Sequence, residues 1–98
     1  MTLLEQALGL KAFDRPELQR WQARKVHEEA AELMVAVDDW DKASGDEAAE
    51  CWDHALDEYA QVLQAMVNLQ AAMGFTDADL RRSCRAVFVR HRAEGRCG

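Results

Sequence analysis

The chain has 98 residues, of which 49% are hydrophobic and 31% charged, a composition typical of a globular protein and unlike that of a disordered one. Its net charge of −6 would repel a phosphate backbone over most of the surface, which argues against a DNA- or RNA-binding module. We expect one domain over residues 1–98 and, because so short a chain buries only about 60% of its unfolded surface, assembly into a homodimer or homotetramer.

The residue pattern predicts an all-α fold. The chain contains one proline and five glycines, and most of its segments repeat hydrophobic residues at the helical period. Thr2 and Glu5 have the spacing of a capping box and predict a short helix through about Leu8, ending near Gly9. The first predicted element is therefore a helix of about two turns.

Two long helices and a shorter one are predicted to follow. The second helix begins at Asp14, with Pro16 and Glu17 just inside, and continues to about Lys42. A third helix covers about 46–73.

The third helix is predicted to stop at Gly74, and Thr76 with Asp79 to cap a fourth helix that fades near Gly95. One face of this fourth helix is predicted to carry Leu80, Cys84, Val87, Phe88 and His91.

Each long helix has an apolar stripe with acidic side chains at its border. The predicted core stripes are Val26, Ala30, Leu33, Val37 and Trp40 in the second helix, and Ala55, Tyr59, Val62, Met66, Leu69 and Met73 in the third. Glu29 lies about 60° and Glu32 about 120° from the centre of the first stripe. Glu58 and Gln61 are offset similarly in the third helix.

Packed side by side, these stripes would bring Glu29, Glu32 and Glu58 together at a half-buried edge. Several like charges repel there unless a cation or protons neutralise them, and Mg²⁺ suits carboxylate oxygens and phosphates. Glutamates three residues apart are also common on solvated helix faces, so spacing alone leaves that alternative open.

Cysteine usage and hydropathy predict a cytoplasmic protein without a membrane partner. Cys51, Cys84 and Cys97 are odd in number and form no C-x-x-C pair, which favours free thiols in a reducing compartment. The apolar runs are short, so we expect neither a signal peptide nor a membrane span.

The residues of both long helices and of the tail resemble a known superfamily. Residues 25–33 read KVHEEAAEL, residues 56–69 read LDEYAQVLQAMVNL, and residues 89–97 read VRHRAEGRC. They are similar to the all-α nucleoside triphosphate pyrophosphatases, which include MazG, MazG-like proteins, dCTP pyrophosphatases and phosphoribosyl-ATP pyrophosphatase. That superfamily has E-E-x-x-E on one helix and E-x-x-D on the next. Glu28, Glu29 and Glu32 match the first motif and Glu58 begins the second, but Gln61 replaces its aspartate.

The resemblance, which covers roughly residues 17–97, implies a MazG-like bundle of two long antiparallel helices plus shorter ones, completed by oligomerisation. It implies Mg²⁺-dependent cleavage of a (deoxy)nucleoside triphosphate to the monophosphate and pyrophosphate, a house-cleaning of the nucleotide pool. Glu29, Glu32 and Glu58 would hold Mg²⁺, with Mn²⁺ as a substitute, and Glu28 would hold or deprotonate the attacking water.

Substrate contacts are expected from further side chains. Lys25 and Arg90 would bind the outer phosphates. His91 lies in the same basic tail as Arg90 and is also a candidate for binding a phosphate. Alternatively, His91 is a core histidine whose hydrogen bonds are satisfied. Trp21 would stack on a base, or alternatively be a buried anchor between helices or between subunits. Gln61 would offer only a neutral carbonyl oxygen to the metal or substrate.

Because Gln61 adds no charge, either the affinity for the metal should fall or a neighbour such as Asp57 or His54 must help to bind it. Zinc is disfavoured, since Cys51 and His54 lack a second pair of soft ligands.

Two alternative functions remain beside the first. KVHEEAAEL is close to the K-V-x-E-E-A-x-E run of phosphoribosyl-ATP pyrophosphatase of histidine biosynthesis, although the basic tail favours the MazG-like branch. Gln61 would also fit a protein that kept the bundle and lost catalysis, as a nucleotide-binding or structural helical oligomer.

Overall fold

The computed structural model describes residues 1–14 and 18–98, and this part of the chain contains four helices and no strand. Their bounds are α1 Leu3–Leu8, α2 Gln19–Lys42, α3 Asp46–Met73 and α4 Asp77–Ala93. The predicted all-α class is confirmed. None of the four helices combines the length and the apolar composition needed to cross a bilayer.

Most helix ends lie where their capping residues predict. Thr2 accepts a hydrogen bond from the Glu5 N–H (3.1 Å), and the Glu5 carboxylate accepts one from the Thr2 N–H (2.9 Å). Thr76 and Asp79 form the same reciprocal pair at the start of α4. Gly74 ends α3 with φ 73°, a left-handed conformation that side chains disfavour.

The start of α2 differs from the prediction. The helix begins at Gln19, and Leu18 precedes it without any side-chain cap. Asp14 lies in a bend rather than at a helix start, while the predicted first-turn residues Pro16 and Glu17 lie outside the described residues. The preceding segment is tied to α3 instead, because the Phe13 N–H donates to Asn68 Oδ1 (3.0 Å).

Helices α2 and α3 form an antiparallel hairpin, joined by residues 43–45, and are the one pair with extensive contact in the described chain. The face of α2 toward α3 contains the buried Gln22 and Ala36, with Glu29 and Leu33 half-buried. This face is rotated by about 50° from the predicted stripe, toward Glu29. The rotation is what carries an acidic side chain into the hairpin interface.

The prediction that both apolar stripes form the core is therefore wrong for the single chain. Six stripe residues are exposed: Ala30, Val37, Trp40, Tyr59, Met66 and Met73. Among the described residues only Ala36, Ala65 and Val67 are buried hydrophobics. Two of these are alanines, which let the helix backbones approach closely, while the larger side chains of the stripes are half-buried or exposed.

The N-terminal segment packs against α3 through polar contacts. Glu5 is buried, and its Oε2 accepts a hydrogen bond from the Ala12 N–H (2.8 Å). Gln64 Nε2 donates to the Lys11 carbonyl (2.9 Å). The Leu3 N–H donates to Asp77 Oδ1 (3.1 Å), so α1 also touches the first turn of α4.

Glu5→Gln should destabilise the chain at neutral pH but not in acid. Backbone N–H groups of Thr2 and Ala12 hold the pKa of Glu5 below its ordinary value of 4.5. Because the pKa of Glu5 is lower in the folded than in the unfolded state, the ionised carboxylate stabilises the fold at pH values above the unfolded-state pKa. This stability is lost as the pH falls through the folded-state pKa. The difference in Tm between variant and wild type, followed by circular dichroism, should shrink below pH 4.5. A difference that stays constant with pH would contradict this role.

Candidate functional site

Three carboxylates converge where α2 and α3 face each other. Glu29 and Glu32 are one turn apart on α2, Glu58 lies on α3, and one oxygen of each lies within 4.8 Å of the others. The side chains of Glu29 and Glu58 are each only 17% exposed, while Glu32 is open to solvent. The structure thus brings together the three predicted metal ligands, which we call the acidic triad.

The acidic triad places like charges close together at a partly buried position. Partial burial, followed by the charge of Glu32, raises the pKa of the Glu29 carboxyl; Lys25 opposes this shift and Glu58 adds to it. Glu58 Oε2 is buried and has no hydrogen-bond partner. A half-buried acceptor beside two like charges is costly unless a proton or a cation compensates it.

Lys25 brings a positive charge to the edge of the acidic triad. Its Nζ lies 3.1 Å from Glu28 Oε2 and 4.0 Å from Glu29 Oε1. The same ammonium lies 5.7 Å from the centre of the Trp21 ring, within the range of a cation–π contact. The hydrogen bond with Glu28 is the main reason that the pKa of Lys25 is raised. Glu28 therefore pairs with Lys25 and lies outside the triad.

A pocket of about 70 Å³ adjoins the acidic triad. Its lining includes three of the five predicted substrate contacts, Trp21, Lys25 and Gln61, together with Glu29. Trp21 is 49% exposed, so in the single chain it is not a buried anchor between helices. Gln61 lies one turn beyond Glu58 and faces this pocket with its neutral amide.

The pocket also contains residues that the sequence did not single out. Gln64 and Asn68 continue the row begun by Gln61 along α3, and Phe13 closes the pocket from the N-terminal segment. Gln64 Nε2 donates to Asn68 Oδ1 (3.1 Å). An amide row at three- and four-residue spacing, following Glu58 on the same helix, is the signal that could have revealed this wall.

Arg90 and His91 are not brought to the triad within one chain. Neither residue lines the pocket, and α4 packs only sparsely on α2 and α3 in the described structure. His91 Nδ1 is buried without a hydrogen-bond partner, 3.8 Å from Glu94 Oε2, so it is not the satisfied core histidine that was the alternative.

His54 is the nearer of the two residues considered as helpers for Gln61. Its Nε2 lies 3.9 Å from Glu58 Oε1 on the exposed side of the triad. Asp57 is exposed and is not part of the carboxylate group. His54 therefore stands where it can orient Glu58.

The donor set is suited to a hard divalent cation. Carboxylate oxygens that converge from two helices suit Mg²⁺ or Mn²⁺ better than a soft metal. No family model, no curated protein and no solved structure matches this chain.

Proposed function

We propose that the protein is a MazG-like, Mg²⁺-dependent nucleoside triphosphate pyrophosphohydrolase that converts a (deoxy)nucleoside triphosphate to its monophosphate and pyrophosphate and so cleans the nucleotide pool. The observation that supports this most is the convergence of Glu29, Glu32 and Glu58 within 4.8 Å, with Glu58 Oε2 left without a partner. The resemblance of the helix motifs supplies the reaction class.

Each side chain of the site has a role in this proposal. The acidic triad would hold Mg²⁺, which when bound lowers the pKa of a water ligand and offsets charge on the phosphate oxygens. Lys25 lies between the triad and Trp21, where an ammonium can bind a phosphate and the indole can stack on a base. A phosphate that draws Lys25 away would free Glu28 to accept a proton from water, since these two now share a hydrogen bond.

The proposed function also implies a location in the cell and an assembly state. The free thiols Cys51, Cys84 and Cys97 suit a cytoplasmic enzyme, where the nucleotide pool lies. We place the protein there as a homodimer or homotetramer without a nucleic-acid or membrane partner.

A substrate panel with and without Mg²⁺ tests this function. Purified protein should release pyrophosphate from at least one (deoxy)nucleoside triphosphate, and EDTA should stop the release. Turnover of phosphoribosyl-ATP alone would replace the proposal by the histidine-biosynthesis alternative. No turnover of any of these substrates would favour the non-catalytic oligomer that Gln61 suggests.

Gln61→Asp should strengthen the metal site. The side chain lies on the pocket beside Glu29, and a carboxylate there adds a negative charge and a better ligand for Mg²⁺. We expect the Mg²⁺ concentration for half-maximal activity to fall about tenfold, the lower end of what outer contacts contribute to metal affinity. Gln61→Asn, which keeps the amide, serves as the control and should show no such gain.

A further inference from the structure

The single chain exposes far more surface than a folded monomer of its size. Its accessible area is 7644 Å² at a mass of 11.1 kDa, whereas a compact monomer of that mass exposes about 5,700 Å². Its radius of gyration is 16.0 Å, against about 13 Å for a compact chain of this length. The excess of about 2,000 Å² exceeds the roughly 800 Å² that each partner buries in a standard interface.

Part of this excess is an apolar groove between α2 and α3. The groove has a volume of about 170 Å³ and is lined by Leu33, Val37, Trp52, Ala55, Leu56 and Tyr59. Three of its large side chains, Trp52, Leu56 and Tyr59, are more than half exposed. At one end Trp52 meets Trp40 edge to face, with ring centres 5.6 Å apart. Such a continuous apolar surface indicates a docking site.

Helix α4 carries the second unpartnered apolar surface. The middle of its predicted stripe is left open, since Cys84, Val87 and Phe88 are exposed and α4 packs only sparsely on the hairpin in the described chain. In charge the helix is the opposite of the rest of the chain. Residues 77–98 contain six arginines against three acidic side chains, so residues 1–76 carry a net charge of −9 within the total of −6. Asp53 and Asp57, both exposed, follow directly on the groove residues Trp52 and Leu56.

We infer that the apolar groove is covered by α4 of a second copy of this chain, and that its own α4 covers the partner's groove in return. One reciprocal contact removes both apolar surfaces from water and sets a basic helix beside acidic groove borders. Pairing groove against groove would leave the stripe of α4 exposed. Since Tyr59 and Leu33 adjoin Glu58 and Glu32 in sequence, a helix lying in the groove also runs beside the acidic triad. The contact does not depend on the proposed enzymatic activity.

Matched variants test the contact by light scattering after gel filtration. Leu56→Glu in the groove is compared with Val35→Glu outside the groove. The two wild-type side chains are matched in exposure, at 58% and 57% in the single chain. Phe88→Glu on the stripe is compared with Val89→Glu, with wild-type exposures of 52% and 55%. Wild type should have the mass of two chains or a multiple of two. Leu56→Glu and Phe88→Glu should weaken association about 30-fold or more, and both controls should leave it unchanged.

A cross-linking measurement keeps the inference testable where a charged variant unfolds. The photoreactive amino acid benzoylphenylalanine replaces Phe88, and labelled and unlabelled chains are mixed so that mass spectrometry separates cross-links between chains from those within one chain. Products between chains that join position 88 to residues 52–59 are expected. A monomeric wild type, cross-links only within a chain, or equal loss of association in the control variants would overturn the proposal.

Discussion

Replacing Glu32 by alanine is expected to abolish pyrophosphate release while the helical content stays unchanged. Glu32 is exposed, so its truncation opens no cavity in the hairpin, yet it supplies one of the three oxygens that lie within 4.8 Å of one another. Loss of a residue that hydrogen-bonds a metal ligand typically lowers metal affinity or activity about 10- to 100-fold. Loss of a direct ligand should therefore lower kcat/KM by at least about 100-fold.

Asp38→Ala is the control for Glu32→Ala. It removes another exposed carboxylate from α2 that is not part of the acidic triad. Initial rates at saturating Mg²⁺ and far-ultraviolet circular dichroism should be recorded for both variants. Full activity in Glu32→Ala would refute the assignment of the site. Equal losses in both variants would point to the net charge of the helix rather than to a ligand.

Neutralising Glu58 should have opposite effects on stability with and without metal. In EDTA, Glu58→Gln relieves repulsion from Glu29 and Glu32 while keeping the shape of a side chain that is 17% exposed. At water-like screening this repulsion is about 1 kcal/mol, or roughly 5 °C in Tm for a chain of this length. With Mg²⁺ the wild type should gain stability according to its occupancy, and the variant should gain little.

Melting curves in EDTA and in increasing Mg²⁺ measure this reversal, and electron paramagnetic resonance of Mn²⁺ counts the bound ions. A purely structural Glu58 predicts another result: the variant would melt lower than wild type in both buffers. A Mg²⁺-induced rise in Tm that is equal in both proteins would place the ion elsewhere.

Helix ends were predictable where the residues that set them are local. Thr2 with Glu5 and Thr76 with Asp79 satisfy backbone donors within three residues, and Gly74 takes up the left-handed conformation on its own. The start of α2 was not predictable from local residues, because Leu18 offers no side-chain cap. Residues 11 and 13, which precede it, are held by side chains of α3 some 50 residues away.

The packing face of α2 was predicted only approximately. Periodicity locates an apolar stripe but does not say how many partners share it. Ala36 and Gln22 make the intramolecular contact, whereas Val37 and Trp40 belong to the surface that stays open in one chain. Because the apolar stripe is wider than one interface, its predicted centre lies about 50° from the centre of the face that packs on α3.

The acidic triad was within reach of sequence reasoning, whereas its pocket was not. Glu29, Glu32 and Glu58 border two adjacent helices, so pairing those helices suffices to bring them together. The wall formed by Gln64 and Asn68 depends on how the N-terminal segment folds back, because these amides hold Lys11 and Phe13. Nothing in the local sequence distinguishes Gln64 and Asn68 from other amide side chains.

Helix α1 connects two regions that are distant along the chain. It reaches α4 through the bond from the Leu3 N–H to Asp77, and it fixes the pocket wall through Glu5, which holds the Ala12 N–H beside Phe13. If α4 docks on a second copy as proposed, a displacement of α4 would reach the pocket through the bond between Asp77 and Leu3 and through α1. If the protein binds nucleotide as the oligomer proposed above, we expect binding to one subunit to change the affinity of the other, so that saturation would depart from a simple hyperbola.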